Sequence, residues 1–97
     1  MTNVVPFQKA DTPDELERKL LDGTVTPEAQ GYVVTTVTTQ WFNHGVISDL
    51  LEEANWKYDL KVTKETKIRS WGKKEHLLRI YGPNLKIILF VGTLDRY

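Results

Sequence analysis

The chain has 97 residues, of which 40% are hydrophobic and 27% charged, with no cysteine and a formal net charge of zero. This length accommodates one hydrophobic core, and the lack of thiols excludes disulfide bridges and thiolate metal sites. The longest apolar run, residues 87–91, is far shorter than the roughly 20 residues of a membrane span. We therefore expect one soluble cytoplasmic domain, residues 12–97, with no membrane contact.

The first predicted helix begins at a capping sequence. Residues 1–11 show no sustained periodicity and are predicted to form a mobile N-terminal arm. Thr12 then precedes Pro13 and is followed three positions later by Glu15, which is the pattern of an N-cap with a capping box. Because Gly23 supplies a stop, we expect a short helix over residues 13–22.

A strand and an amphipathic helix are predicted next. Residues 32–40 consist mainly of valine and threonine, whose branched β-carbons favour an extended backbone. After Asn43, a suitable N-cap, apolar residues follow at helical spacing. They are Val46, Ile47, Leu50, Leu51 and Ala54. The pattern predicts a helix that ends near Trp56.

The rest of the chain is predicted to form three further strands, over residues 58–71, 75–81 and 85–94. The last of these is apolar at both parities between residues 87 and 91, which is typical of a central strand covered on both faces. We therefore expect an α+β fold with the element order α-β-α-β-β-β. Its four-stranded mixed sheet has the predicted order 2-3-4-1, with a short N-terminal helix and one longer amphipathic helix.

The two faces of this predicted sheet are unequally covered. The longer helix covers one face, whereas the first helix is barely long enough for the second face, where Leu77, Tyr81, Phe90 and Trp71 would gather. A second copy of the chain is the obvious candidate to cover it. The sequence therefore leaves open a homodimer that forms through the second sheet face.

Charge is distributed unevenly along the chain. Residues 1–56 contain three basic and nine acidic residues, whereas residues 57–97 contain ten basic and four acidic residues. A basic region can attract phosphate backbones, and an acidic region can attract basic partners. The alternative is that both halves simply form solvated surfaces.

The tract from residue 57 to residue 79 combines eight basic residues with three acidic residues and with the rings of Tyr58 and Trp71, and Trp56 directly precedes it. One face of the predicted second strand would offer cations to phosphates and an indole ring to a stacked base, as in proteins that bind single strands or RNA. The residues that share this face by their parity are Lys61, Lys67, Arg69 and Trp71. The predicted nucleic-acid-binding set is Lys61, Lys67, Arg69, Trp71, Lys73 and Lys74. The alternative is that lysines on an edge strand only prevent aggregation.

Catalytic and cofactor motifs are weak or missing. His44, Ser48 and Glu52 are spaced to share one helix face and have the residue types of a hydrolytic triad, but such a row leaves no place for a substrate carbonyl. His44 with Asp49 or His76 would supply only half of a metal site. No glycine motif for phosphate is present. We expect no enzyme activity, no metal and no cofactor.

Trp41 and Phe42 precede the longer helix, and Trp56 closes it. Aromatic residues at helix ends usually pack into the core, whereas exposed ones mark a protein interface. Three functions therefore stay open. They are a non-catalytic nucleic-acid-binding domain, a protein-binding regulator or inhibitor that acts as a dimer, and a small enzyme that uses His44.

Overall fold

The computed structural model describes residues 10–42 and 44–95, so most of the predicted arm and the predicted cap Asn43 lie outside the described residues. The fold belongs to the expected α+β class. Its elements are α1 (Pro13–Leu21), β1 (Gln30–Gln40), α2 (Val46–Tyr58), β2 (Lys61–Ser70), β3 (Lys73–Pro83) and α3 (Asn84–Leu94). No helix in the described part of the chain is long and apolar enough to cross a bilayer.

Within residues 10–42 and 44–95, the sheet has three antiparallel strands in the order β1-β3-β2. β3 lies in the centre and pairs with β1 from Gln30 opposite Pro83 to Gln40 opposite Lys73. β1 and β2 therefore point in the same direction on either side of β3, and α2 connects them. The predicted four-stranded mixed sheet with the order 2-3-4-1 is wrong.

The error arises at residues 85–94, which form most of helix α3 and not a fourth strand. The buried residues of this segment are Ile87, Phe90, Val91 and Leu94, whose spacing of i, i+3, i+4 and i+7 is that of one helix face. Leu89 lies on the outer side and is exposed. A short run that is apolar at both parities fits a buried helix as well as a buried strand, so periodicity alone does not separate the two.

The three helices of the described residues pack on one face of the sheet. α3 lies between α1 and α2 and contacts both β1 and β3. Buried residues alternate along the strands, so that Val33, Leu78 and Ile80 contribute to the core beneath the helices. We call the opposite side, which carries Tyr81 and Leu77, the helix-free face. The prediction that the first helix covers this second face is therefore wrong.

The two helices that were predicted begin and end close to the expected residues. The hydroxyl of Thr12 accepts a hydrogen bond from the backbone N–H of Glu15 at 3.2 Å, which confirms the N-cap of α1. α2 continues two residues beyond Trp56. Asp59 then adopts a left-handed conformation, with φ of 54°, and turns the chain into β2.

Candidate nucleic-acid interface

Five of the six predicted binding residues lie together where β2 turns into β3. We call this region, residues 67–74 together with Trp41 and Phe42, the hairpin end. Lys61 is separate, because it begins β2 and pairs with Tyr81. Six residues of extended chain place it about 20 Å from Lys67.

Strand register divides the predicted lysines between the two sides of the sheet. Lys61, Lys67 and Lys73 have the parity opposite to the buried strand residues and therefore lie on the helix-free face. Lys74 follows Lys73 and points to the other side, where Ile68 is its cross-strand neighbour. The register therefore places Lys61, Lys67 and Lys73 on one side of the sheet and Lys74 on the other.

Between described residues, two ion pairs cross the helix-free face. Arg69 Nη2 lies 2.6 Å from Glu75 Oε1, and Arg79 Nη1 lies 2.7 Å from Glu65 Oε1. These hydrogen bonds raise the pKa of both guanidinium groups, and the bond from Arg69 lowers the pKa of the Glu75 carboxyl. The arginines therefore neutralise the two carboxylates that β2 and β3 contribute.

The lysines of the same face keep their charge unneutralised. In the described part of the chain, no carboxylate oxygen lies within 4.0 Å of the Nζ atom of Lys61, Lys67 or Lys73. β2 and β3 together carry seven lysines and arginines but only two glutamates. In contrast, α1 and α2 carry six carboxylates and three cations. The uneven charge of the sequence thus becomes a basic hairpin opposed to a more acidic pair of helices.

Three aromatic rings of the hairpin end are largely exposed. The exposed fraction is 91% for Trp71, 68% for Trp41 and 69% for Phe42. The rings of Trp41 and Phe42 meet edge to face with centroids 5.8 Å apart, and the Trp41 side chain lies directly beside the backbone of Gly72. The end of β1 thus brings two further rings next to the Trp71-Gly72 turn.

Trp41 and Phe42 were not among the predicted site residues, and the expectation that they pack into the core is wrong. No local sequence pattern places them at this site. They lie beside the β2–β3 turn because Gln40, the last residue of β1, pairs with Lys73 at the start of β3. Trp56 is exposed as well, at 74%. It lies on α2, in the helix layer, so it does not belong to the hairpin end.

A tyrosine pair occupies the other end of the helix-free face. The rings of Tyr32 and Tyr81 stack with centroids 4.4 Å apart and an interplanar angle of 2°. Their contact raises the pKa of the Tyr81 hydroxyl, first through a hydrogen bond with Tyr32 and then through burial. With Lys61 beside Tyr81 on β2, this end also combines aromatic surface with a cation.

The two histidines are linked through a threonine. Thr39 Oγ1 lies 2.7 Å from His44 Nδ1 and 2.8 Å from His76 Nε2, while His76 Nδ1 lies 3.0 Å from Thr66 Oγ1. Both ring nitrogens of His76 are therefore engaged by hydroxyl groups. Within the described ranges, no group of three or more histidine and acidic side chains is placed to hold a metal ion.

The predicted row of His44, Ser48 and Glu52 on one helix face is wrong, because α2 begins only at Val46 and His44 precedes it. Ser48 and Glu52 are both exposed.

No protein-family model, curated protein or solved structure matches the chain.

Proposed function

We propose that this chain is a non-catalytic domain that binds single-stranded nucleic acid across the helix-free face and the hairpin end. The observation that carries this proposal is the exposure of Trp41, Phe42 and Trp71 beside Lys67 and Lys73. Lysines attract the phosphates of any nucleic acid. Exposed rings add stacking on bases, which are accessible in a single strand and are already stacked inside a duplex.

The shape of the site favours a single strand over a duplex. The major groove of a duplex is read by a helix or a two-stranded ribbon that enters it, whereas the helix-free face is three strands wide. Lysines and rings occur at both ends of this face, about 20 Å apart along β2. A single strand that follows β2 meets the tyrosine pair with Lys61 at one end and the tryptophans at the other.

Charge also favours one side of the molecule. The carboxylates of α1 and α2 repel phosphates from the helix layer, while the unneutralised lysines attract them to the opposite face. The two arginines that pair with glutamates contribute less, because part of their charge is already compensated. Lys67 and Lys73 are therefore the cations to test first.

The first experiment is a titration of labelled single-stranded RNA, single-stranded DNA and duplex DNA with the protein, followed by fluorescence anisotropy at low and near-physiological salt. We expect single strands to bind more tightly than the duplex, and binding to weaken as salt rises. Replacing Lys67 and Lys73 together by alanine should lower the salt slope by about 2. The matched control replaces Lys57 and Lys86, which lie on helices, and should change neither affinity nor slope.

A second pair of variants tests the rings. Trp71→Ala should weaken single-strand binding by about 1–3 kcal/mol, the usual contribution of base stacking on an aromatic side chain. Trp56→Ala removes an equally large and exposed ring from the helix layer and should leave affinity unchanged. Equal effects of the two variants would contradict the proposed site. No binding of any nucleic acid even at low salt would overturn the function and leave the lysines as protection of an edge strand.

The exposed apolar side chains favour one second candidate, a protein partner. Trp41, Phe42, Ile68 and Trp71 are all exposed at the hairpin end, and aromatic side chains are enriched at the energetic centres of protein interfaces. The chain would then act as a protein-binding regulator or inhibitor. A partner that stays bound at high salt, is lost on Trp71→Ala and is not displaced by nucleic acid would support this alternative.

A further inference from the structure

Among the described residues, β1 forms one edge of the sheet, and most of its outer side is uncovered. In the described chain its outer neighbour is Asp11, which forms an isolated bridge with Val33. The N–H of Asp11 donates to the carbonyl of Tyr32 at 3.0 Å, and the Asp11 carbonyl accepts from the N–H of Val34 at 3.2 Å. The pairing ends there, because Pro13 has no N–H and begins α1.

This bridge shows which backbone groups of β1 face outward. Those groups belong to Tyr32 and Val34, and outward-facing groups recur at every second residue of a strand. Thr36 and Thr38 therefore present their N–H and C=O groups at the free edge. Both residues are exposed, and the same stretch lines an open groove beside the end of α3.

The free edge of β1 has none of the features that normally prevent strands from pairing with other chains. Such features are charged side chains, prolines and bulges. The eleven residues of β1 include no charged residue and no proline, and the register with β3 is uninterrupted. β2, the other edge strand, carries four lysines and arginines and a register shift between Ile68 and Ser70. One edge is protected and the other is left able to receive a strand.

We propose that two copies of this chain associate by antiparallel pairing of β1 with β1 across a twofold axis at Val37. Thr36 of each copy then lies opposite Thr38 of the other, and the two pairs form about four backbone hydrogen bonds. Threonine pairs are favourable across strands, and β1 itself contributes no like charges that would oppose the pairing. The two three-stranded sheets join into one sheet of six strands.

The edge of β1 is a more favourable dimer interface than the second sheet face that the sequence predicted. That face carries the unneutralised Lys61, Lys67 and Lys73, so two copies stacked face to face would bring like charges together. Pairing at the edge leaves both helix-free faces uncovered, and the symmetry places them on the same side of the joined sheet. The dimer is independent of the proposed nucleic-acid function.

Sedimentation equilibrium over a range of protein concentrations tests the association. We expect the molar mass to rise with concentration from 11.2 kDa towards twice that value. Thr38→Lys should weaken the dimer about tenfold or more, because it places a cation near its symmetry mate. Thr63→Lys, the same change on an exposed position of β2, is the matched control and should leave the dimer unchanged.

Amide hydrogen exchange on the unmodified chain locates the interface without any substitution. The amides of Thr36 and Thr38 should exchange more slowly as protein concentration rises, whereas those of Thr35 and Val37, which face β3, should not depend on concentration. A chain that stays monomeric, or a dimer in which Thr36 and Thr38 exchange at the monomer rate, would overturn the proposal. The proposal would also be overturned if these amides became protected only when an unrelated extended peptide is added. That result would assign the edge to another partner.

Discussion

The Nε2 atom of His76 lies 2.8 Å from the Oγ1 atom of Thr39, which joins the central strand to β1 inside the protein. His76 is only 3% exposed, and a second hydroxyl, from Thr66, meets its other ring nitrogen. Burial first, and then the nearby positive charges, lower the pKa of His76 below its ordinary value of 6.5. The folded protein therefore favours the neutral imidazole.

Stability is expected to decrease as the pH falls below about 6.5. The unfolded chain binds a proton at His76 near that pH, whereas the folded chain binds it only at lower pH. The contribution of the neutral ring to the free energy of unfolding is therefore complete above the unfolded pKa and is lost as the pH falls towards the folded pKa. Urea unfolding of the protein and of His76→Gln on both sides of this pH provides the measurement. An identical pH dependence of the two proteins would contradict the prediction.

Thr39→Val should destabilise the protein by about 1–3 kcal/mol, because it leaves two imidazole nitrogens without the hydroxyl that they share. Valine has nearly the shape of threonine, so the effect reports the hydrogen bonds more than the packing. Thr63→Val, at an exposed position of β2, should change stability by less than about 0.5 kcal/mol. Chemical denaturation measures the stability of both variants. A similar small effect for each would show that the Thr39 hydroxyl contributes little to stability.

Gly31→Ala should destabilise the fold by about 1–3 kcal/mol. A β-carbon at Gly31 would collide with the side-chain oxygen of Asn84. That amide is buried and donates a hydrogen bond to the carbonyl of Thr26 at 2.9 Å, so it cannot move without losing its partner. The contrasting change, Gly92→Ala in α3, meets open space and should stabilise the helix by about 0.5–1 kcal/mol. The melting temperatures of the two variants should therefore shift in opposite directions.

Alanine substitutions at adjacent positions of α3 test the helical assignment of residues 85–94. Phe90 is fully buried, so Phe90→Ala should cost about 3–5 kcal/mol. Leu89 is 48% exposed, so Leu89→Ala should cost about 1 kcal/mol or less. In a central strand covered on both faces, both substitutions would be severe. Large and similar losses of unfolding free energy at the two positions, measured by urea unfolding, would therefore contradict the helix and indicate a strand.

The features that could be predicted from the sequence are those encoded locally. The Thr12 cap with Glu15 and the branched residues of β1 act on their own backbone and neighbours, which is why these elements were placed within one or two residues. Residues 87–91 carry no such signal, because a helix buried along one side and a strand buried on both faces require the same apolar composition.

In the candidate site too, the features encoded locally could be predicted and those that depend on distant strand pairing could not. Lys61 and Lys67 of β2 could be assigned to one face because strand parity is local. Trp41 could not be placed beside the Trp71-Gly72 turn, because that proximity depends on how β1 pairs with a strand that follows much later in the chain. Lys73 and Lys74 were expected to lie in the turn itself, so the sequence assigned neither of them to a side of the sheet. The turn proved shorter than expected, and β3 begins at Lys73.

The central position of β3 also sets an order of events during synthesis. β1 leaves the ribosome well before its partner, because its residues from Gln30 onward pair with residues as late as Pro83. Until β3 has emerged, an uncharged strand rich in valine and threonine has both edges unpaired, which exposes the nascent chain to aggregation. The β2–β3 hairpin closes between strands that are adjacent in the chain, so it can form first and then serve as the template on which β1 docks.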